Sequence, residues 1–400
     1  MTAPILPAID AAFWRNRIAA FMLALSLTLG MIAGGALAFC GIAGGITLYL
    51  LACVQQRMLL LPERRALLFG GALLILALLT SFSAFAPERS WVMSWRLLTI
   101  IVPLMLLFAP AAPILWPRWF ARLVWAVLAI ELLLIAEFMT QGGILLPLFH
   151  FKQNKLVFYN RGLAYAAVLI WPLCAMLLRE QRRWLALALI MGLAVAAWLS
   201  PERSAPLALA AGGVFALLTW RRPRLTLTAG LGLLLLTALL PLSMPWIFAD
   251  DAAWLTHLPP SWQHRFEIWD YMLRWGMNDP WFGHGLDAAG VIPVMPPHMP
   301  YRYASGPAAH PHHMALQLWL ELGLAGWLWG MALALILLRN LLHWPIMPRA
   351  AGMASWAAMV MLSCGAFSLW TDSWLALGAI TIFWLRQLQL ERNSTVPEKN

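Results

Sequence analysis

The sequence predicts an all-α polytopic membrane protein of about twelve transmembrane helices, and three observations carry that expectation. Of its 400 residues 62% are hydrophobic and only 11% charged, with a mean hydropathy of +0.75; a soluble chain is about half apolar and about a quarter charged. Apolar runs of roughly 20 residues, the length that crosses a hydrocarbon core, recur along the whole chain. Clusters of Lys and Arg such as "PERR", "REQRR" and "RRPR" fall in the short links between alternate runs, as the positive-inside rule requires of cytoplasmic loops.

Runs broken by Pro, charge or turn residues place the spans at about 18–35, 37–54, 66–86, 95–113, 120–140, 161–178, 184–200, 204–220, 225–246, 314–338, 350–370 and 373–390. The first begins near Ile18 and passes directly into further spans, so it reads as a membrane helix and not as a cleaved signal peptide. The first two are joined only through the Gly-rich stretch "GGALAFCGIAGG". With the N-terminus inside, the 27 basic residues divide 18 to 9, and both chain ends are cytoplasmic. The organisation is then 1–246 for helices 1–9, 247–313 for a long outer loop, 314–390 for helices 10–12, and 391–400 for a cytoplasmic tail. Cytoplasmic residues carry 18 basic against 5 acidic side chains, the three acids inside the membrane (Glu131, Glu137 and Glu321) subtract from that excess, and the outer side sums to zero, so the formal charge of +10 describes insertion and no nucleic-acid partner. Cys40, Cys53, Cys174 and Cys364 lie in apolar runs without CxxC spacing and read as packing residues.

The long outer loop holds most of the polar inventory. From Trp262 to Trp275 the spacing is helical, with Phe266, Trp269, Met272, Leu273 and Trp275 apolar against Arg265, Glu267, Asp270 and Arg274. That pattern predicts an amphipathic helix at the outer interface. Eight of the nine histidines fall outside or at the outer interface: His150, His257, His264, His284, His298, His310, His312 and His313. "HPHH" reads either as water-facing residues at a helix start or as metal ligands, although no carboxylate or Cys lies near it to complete a metal site.

Along span ten His313, Gln317 and Glu321 recur at i, i+4 and i+8, one polar stripe on an apolar helix. Glu321 lies about 12 Å down that axis, where an ionisable group faces the bundle interior or water; it is either a structural hydrogen-bonding residue or part of a site. Gly323, Gly326 and Gly330 read as close-packing positions. Arg161 in "YNRG" opens span six, Arg203 in "SPERS" opens span eight, and Arg265 lies on the loop helix. Spans six, eight and ten point their N-termini at the same outer surface, which favours an anion, and the guanidinium fork suits phosphate. The bland alternative is that these arginines snorkel. Glu131 and Glu137 in span five are the sequence's best argument for a transporter. No P-loop, GxSxG or HExxH occurs.

In "HHMALQLWLELGLAG" the residues His312, His313, Leu316, Glu321, Gly323 and Gly326 resemble the most recognisable motif of the O-antigen ligase and polymerase superfamily of bacterial inner membranes. Arg265, Trp269, Pro280, Gly283 and Gly285 look like its upstream pattern, and "YNRG" and "SPERSAPLAL" like its two Arg-bearing helix starts. The resemblance covers roughly residues 155–330. It implies glycan transfer from an undecaprenyl-diphosphate carrier at the periplasmic face of a Gram-negative inner membrane, inverting and without metal or other cofactor. In a ligase the acceptor is a sugar hydroxyl of lipid A-core. By the same resemblance His312, His313 and Glu321 are the catalytic candidates, Arg161, Arg203 and Arg265 hold the pyrophosphate, and Asn160, Trp269 and His310 support them. His313 stands where the family usually has Asn or a similar small polar residue, and the spacing to Glu321 favours His312 as base. A polymerase or a protein O-oligosaccharyltransferase uses the same donor; a lipid-linked oligosaccharide flippase is the reading from another class.

Overall fold

The computed structural model describes residues 10–109, 112–149, 156–244, 254, 257–293 and 308–395. His150, Lys152, Lys155, His298, Arg302, parts of the long loop and the last residues of the tail lie outside the described residues. Among the described residues the chain is helical, without strands. The helices are α1 (Ala11–Ile32), α2 (Ala36–Gln56), α3 (Arg64–Phe82), α4 (Pro87–Leu106), α5 (Leu123–Met139), α6 (Asn160–Arg179), α7 (Arg183–Leu199), α8 (Ser204–Arg221), α9 (Pro223–Leu239), α10 (Pro260–Asn278), α11 (Met314–Leu342), α12 (Ile346–Ser363) and α13 (Asp372–Thr395).

A helix overlaps each of the twelve stretches expected to span. Among the described residues eight helices are long and apolar enough to cross a membrane by length and composition, and Arg183–Leu199 is a shorter apolar helix. The protein is thus a multi-pass membrane protein. Its outward faces carry large apolar side chains such as Phe39, Phe82, Trp184 and Leu217, the surface that lipid tails cover.

α6 is the buried axis. No charge interrupts its sequence between Arg161 and Arg179, and every residue from Gly162 to Leu177 is buried, with α1, α7, α8, α12 and α13 around it. Close approach is won with small residues: a side chain at Gly162 would meet the Met31 carbonyl, and one at Gly212 the Trp171 ring. Across the bundle the Ser355 hydroxyl of α12 donates to the Val168 carbonyl at 2.9 Å.

Two expectations change. Span four was expected to begin near residue 95, but α4 begins at Pro87 with Glu88 in its first turn, both favourable at a helix start. Arg89 is therefore a helical residue and not a loop residue, two turns from Arg96 on one face. The expected interfacial helix exists as α10, yet it is packed into the protein: Ile268, Trp269, Tyr271, Met272 and Leu273 are buried against Leu316 and Leu320 of α11 and against Ala288 and Ile292. Even its charged positions Glu267 and Asp270 are buried, Asp270 pairing with Arg274 at 2.7 Å. Two faces of α10 are covered by chain, where a helix lying on lipid presents one to water.

Candidate active site

The site is built on a break in α11. Gly323 has φ 64° inside the helix, which frees carbonyl and N–H groups that the i→i−4 ladder would use. The segment 279–287 takes them: the His284 N–H donates to the Leu320 carbonyl at 2.8 Å, the Gly285 N–H to the Glu321 carbonyl at 2.9 Å, and the Leu324 N–H to the Pro280 carbonyl at 2.9 Å. Backbone meets backbone here. A Cβ on Gly323 would collide with Trp281 and Phe282, and one on Gly283 (φ 71°) with Glu321 and Gly323, so only glycine fits either position. Gly323 is a backbone junction and not the helix-packing contact expected of it.

Glu321 closes the junction. Fully buried, it accepts from the Asp287 N–H at 2.9 Å, from Gln317 Nε2 at 3.2 Å and from Trp370 Nε1. Gln317 continues the net, donating to Ser368 Oγ at 3.0 Å and accepting from the Leu369 N–H at 3.0 Å. One helix face thus fastens two segments, 279–287 and 368–370, to the start of α11.

The neighbouring histidines do different things. His313 is the N-cap of α11, its Nδ1 accepting from the Leu316 N–H at 3.4 Å. Its buried ring meets Trp269 edge-to-face at 5.2 Å, and burial pushes its pKa down to about 3. Trp269 in turn donates from Nε1 to the Pro311 carbonyl at 2.8 Å, holding the segment that presents His312. His312 has φ 53°, a conformation that non-glycine residues adopt at an energetic cost, and its ring lies against that of His310 at 4.1 Å. Its Nδ1 is buried without a hydrogen-bond partner among the described residues. Burial, then the neighbouring His310 and Arg265, push its pKa down to about 3; His310 falls to about 4 through burial and then Arg161. Both are neutral at pH 7.

His310 and His312 line a cavity of about 450 Å³ together with Asn160 and Arg161 from the start of α6, Glu202 before α8, and Arg96 of α4. Asn160 accepts from the Ser200 hydroxyl at 2.5 Å, tying the α6 start to the α7–α8 link, while its Nδ2 has no partner among the described residues. Arg265 stacks on Trp262 at 5.4 Å. Burial lowers its pKa and nearby Glu202 opposes the fall, so it stands beside the same Glu202 that lines the cavity. Of the three expected arginines, Arg161 lines the cavity and Arg265 approaches it through Glu202 and His312. Arg203 instead donates to the Trp198 carbonyl at 2.6 Å and stacks on that ring at 5.0 Å, exposed at the start of α8.

Sequence reasoning missed the far wall, formed by Arg96, Asp287 and the segment 366–371. The charges of Arg89 and Arg96 were visible; what was hidden is that α4 carries Arg96 into the cavity lining and Arg89 to the side chain of Asp287.

Other candidates are occupied elsewhere. Glu137 accepts from the N–H groups of Ile144, Leu145 and Leu146 at 2.9, 2.7 and 2.9 Å and from the Tyr159 hydroxyl at 3.3 Å, which makes it a loop organiser. Glu131 is buried against Gly192 of α7, its oxygens unpartnered among the described residues. His284 donates from Nε2 to the Trp275 carbonyl at 2.7 Å. Among the described residues no cluster of three or more His, Cys, Asp or Glu is placed to hold a metal ion.

A comparison with curated proteins finds no match. Residues 186–329 match a family model described as O-antigen ligase, a stretch that takes in Arg203, Arg265, the glycine junction, the His pair and Glu321 and stops short of Arg96, Arg161 and the 366–371 segment. Through that domain, the chain resembles the O-antigen ligase and polymerase superfamily.

Proposed function

We propose that the protein is an O-antigen ligase, transferring a glycan from undecaprenyl diphosphate to a sugar hydroxyl of lipid A-core at the periplasmic face of the inner membrane. The observation that carries this reading is a cavity in which a neutral imidazole, His312, with its Nδ1 unpartnered among the described residues, lies beside Arg161 and close to Arg265. A glycosyl transfer with a diphosphate leaving group needs those two functions together.

In this reading His312 takes the proton of the acceptor hydroxyl as that oxygen bonds to the anomeric carbon. The bond from that carbon to the diphosphate oxygen breaks from the opposite face, inverting the centre, and the departing diphosphate carries the electron pair. Arg161 and Arg265 stabilise its negative charge in place of a metal ion, helped by the N-termini of α6 and α8. Arg203 joins them when its guanidinium exchanges the Trp198 carbonyl for a phosphate oxygen. His312 is neutral at pH 7, and a diphosphate bound beside Arg161 and Arg265 offsets the cations and raises its basicity. Glu321, Gln317 and His313 act as positioning residues, since their hydrogen bonds hold the segments that line the cavity.

Reconstitution with purified undecaprenyl-diphosphate glycan and lipid A-core in the presence of EDTA tests this. Core-linked glycan supports the ligase. Longer carrier-linked chains without core attachment establish a polymerase instead, and glycan moved across the bilayer without covalent transfer establishes a flippase.

A further inference from the structure

Among the described residues five non-glycine residues have left-handed backbone: Arg57, Gln141, Gln181, Asp287 and His312. Three of them end helices, where the conformation closes the last turn: the N–H of Arg57 bonds to Val54, that of Gln141 to Phe138 and that of Gln181 to Leu178. Asp287 and His312 end no helix, and both line the cavity. Strain concentrated in this way marks residues held for use.

Asp287 is held from behind. Its N–H is fixed by Glu321 at 2.9 Å, and its carboxylate makes no capping bond to the short turn Ala288–Gly290 that it precedes. The carboxylate instead stands in the cavity 3.6 Å from Arg89, an ion pair too exposed to stabilise the fold appreciably. Beside it Arg96 pairs with Asp372 at 2.8 Å, and the Ser368 and Thr371 side chains complete this wall. Asp287 and Arg96, the two charged residues of this wall, cancel, and their partners Arg89 and Asp372 stand outside the cavity lining and cancel likewise. Towards Arg161, by contrast, Glu202 is the carboxylate that lines the cavity, Arg265 stands near that same Glu202, and His310 and His312 are neutral, so that end keeps a positive excess.

A diphosphate therefore belongs at the Arg161 end. The balanced wall offers carboxylate acceptors, guanidinium donors and hydroxyls without net charge, which is the complement of a neutral ring bearing many hydroxyl groups. We infer that Asp287, with Arg96 and Thr371, forms a sugar subsite that binds a hydroxyl-rich ring of the glycan next to the diphosphate subsite. The inference rests on the transfer reading above, and it assigns the ring to donor or acceptor by experiment.

The test measures equilibrium binding, without turnover, of three probes to the full-length protein in nanodiscs: glycan-free undecaprenyl diphosphate, its glycan-linked form, and a free acceptor oligosaccharide lacking phosphate. Asp287→Asn is the informative variant, because Asn tolerates the left-handed backbone and keeps the N–H that Glu321 accepts; Thr371→Val removes one hydroxyl from the same wall. Glycan-free carrier should bind both variants within about twofold of wild type, while the sugar-bearing probe that uses the wall weakens roughly tenfold in Asp287→Asn. Weakening of the glycan-linked carrier assigns the ring to the donor, and weakening of the free oligosaccharide assigns it to the acceptor. Equal loss for the glycan-free carrier, or no change for any probe, overturns the subsite. A wild-type protein that fails to bind glycan-free carrier contradicts the transfer reading, whatever the variants do.

Discussion

The junction around Gly323 and the cavity next to it are made of the same kinds of residue and treat them in opposite ways. At the junction each oxygen of Glu321 and both ends of Gln317 are hydrogen-bonded. In the cavity region His312 Nδ1, Asn160 Nδ2 and Arg265 Nε are buried and unpartnered among the described residues. Buried polar groups are normally satisfied, and each exception asks for a reason. The contrast separates scaffold from working surface: substitutions at the junction should act through stability, and substitutions in the cavity through rate at constant stability.

After the loss expected on removing His312, the largest effect comes from the cavity cations. Arg161→Ala and Arg265→Ala should each lower kcat roughly 100-fold, the usual cost of removing one preorganised charge stabiliser, with thermal unfolding in detergent nearly unchanged. Lys replacements should recover only part of the rate, since an ammonium lacks the planar fork. An unfolding temperature that falls in step with the rate would erase the distinction between the two regions.

Next are the junction residues. Gly323→Ala drives a Cβ into the backbone of Trp281 and Phe282 at a positive φ and should destabilise by about 2–4 kcal/mol. Glu321→Ala leaves the Asp287 N–H and the Trp370 and Gln317 donors without their acceptor, again about 2–4 kcal/mol. The matching readout is a lowered unfolding midpoint. Donor affinity measured on the folded fraction should remain, and loss of donor binding at full stability would make Glu321 part of the site itself.

The smallest effect is on the acid side of the stability curve. The pKa of His313 lies near 3 in the folded protein and about 6.5 when unfolded, so the unfolded chain takes up its proton first as pH falls. Its contribution to stability is complete above about pH 6.5 and is lost progressively as pH falls towards 3. His313→Asn keeps a good N-cap and removes that titration. The variant should therefore lose less stability between pH 6.5 and 4 than wild type, in unfolding midpoints compared across that range.

Much of this was legible in the sequence, for identifiable reasons. The all-helical, multi-pass character and the His313–Gln317–Glu321 stripe follow local periodicity, and Arg161 and His312 lie beside helix beginnings, whereas α1 and α4 begin earlier than the apolar pattern placed them. Hidden were the contacts between stretches far apart in the chain. Trp370 reaching Glu321, and Arg96 sharing a cavity with Asp287 and His312, leave no local pattern. Gly323 was visible as a small residue, but a helix broken to admit a loop looks the same in one dimension as a helix packed closely against another. The buried α10 shows a related limit: an amphipathic pattern gives the apolar face and does not reveal that chain also covers the polar one.

The central claim is that His312, and not His313, handles the proton in transfer. It is tested most directly by initial rates of glycan transfer to lipid A-core for His312→Ala and His313→Asn, side by side in EDTA, with unfolding midpoints confirming that both are folded. A loss of roughly 10²–10⁴-fold for His312→Ala, with His313→Asn within a few-fold of wild type, is the predicted result. Transfer retained by folded His312→Ala, or lost equally in the two variants, would contradict it.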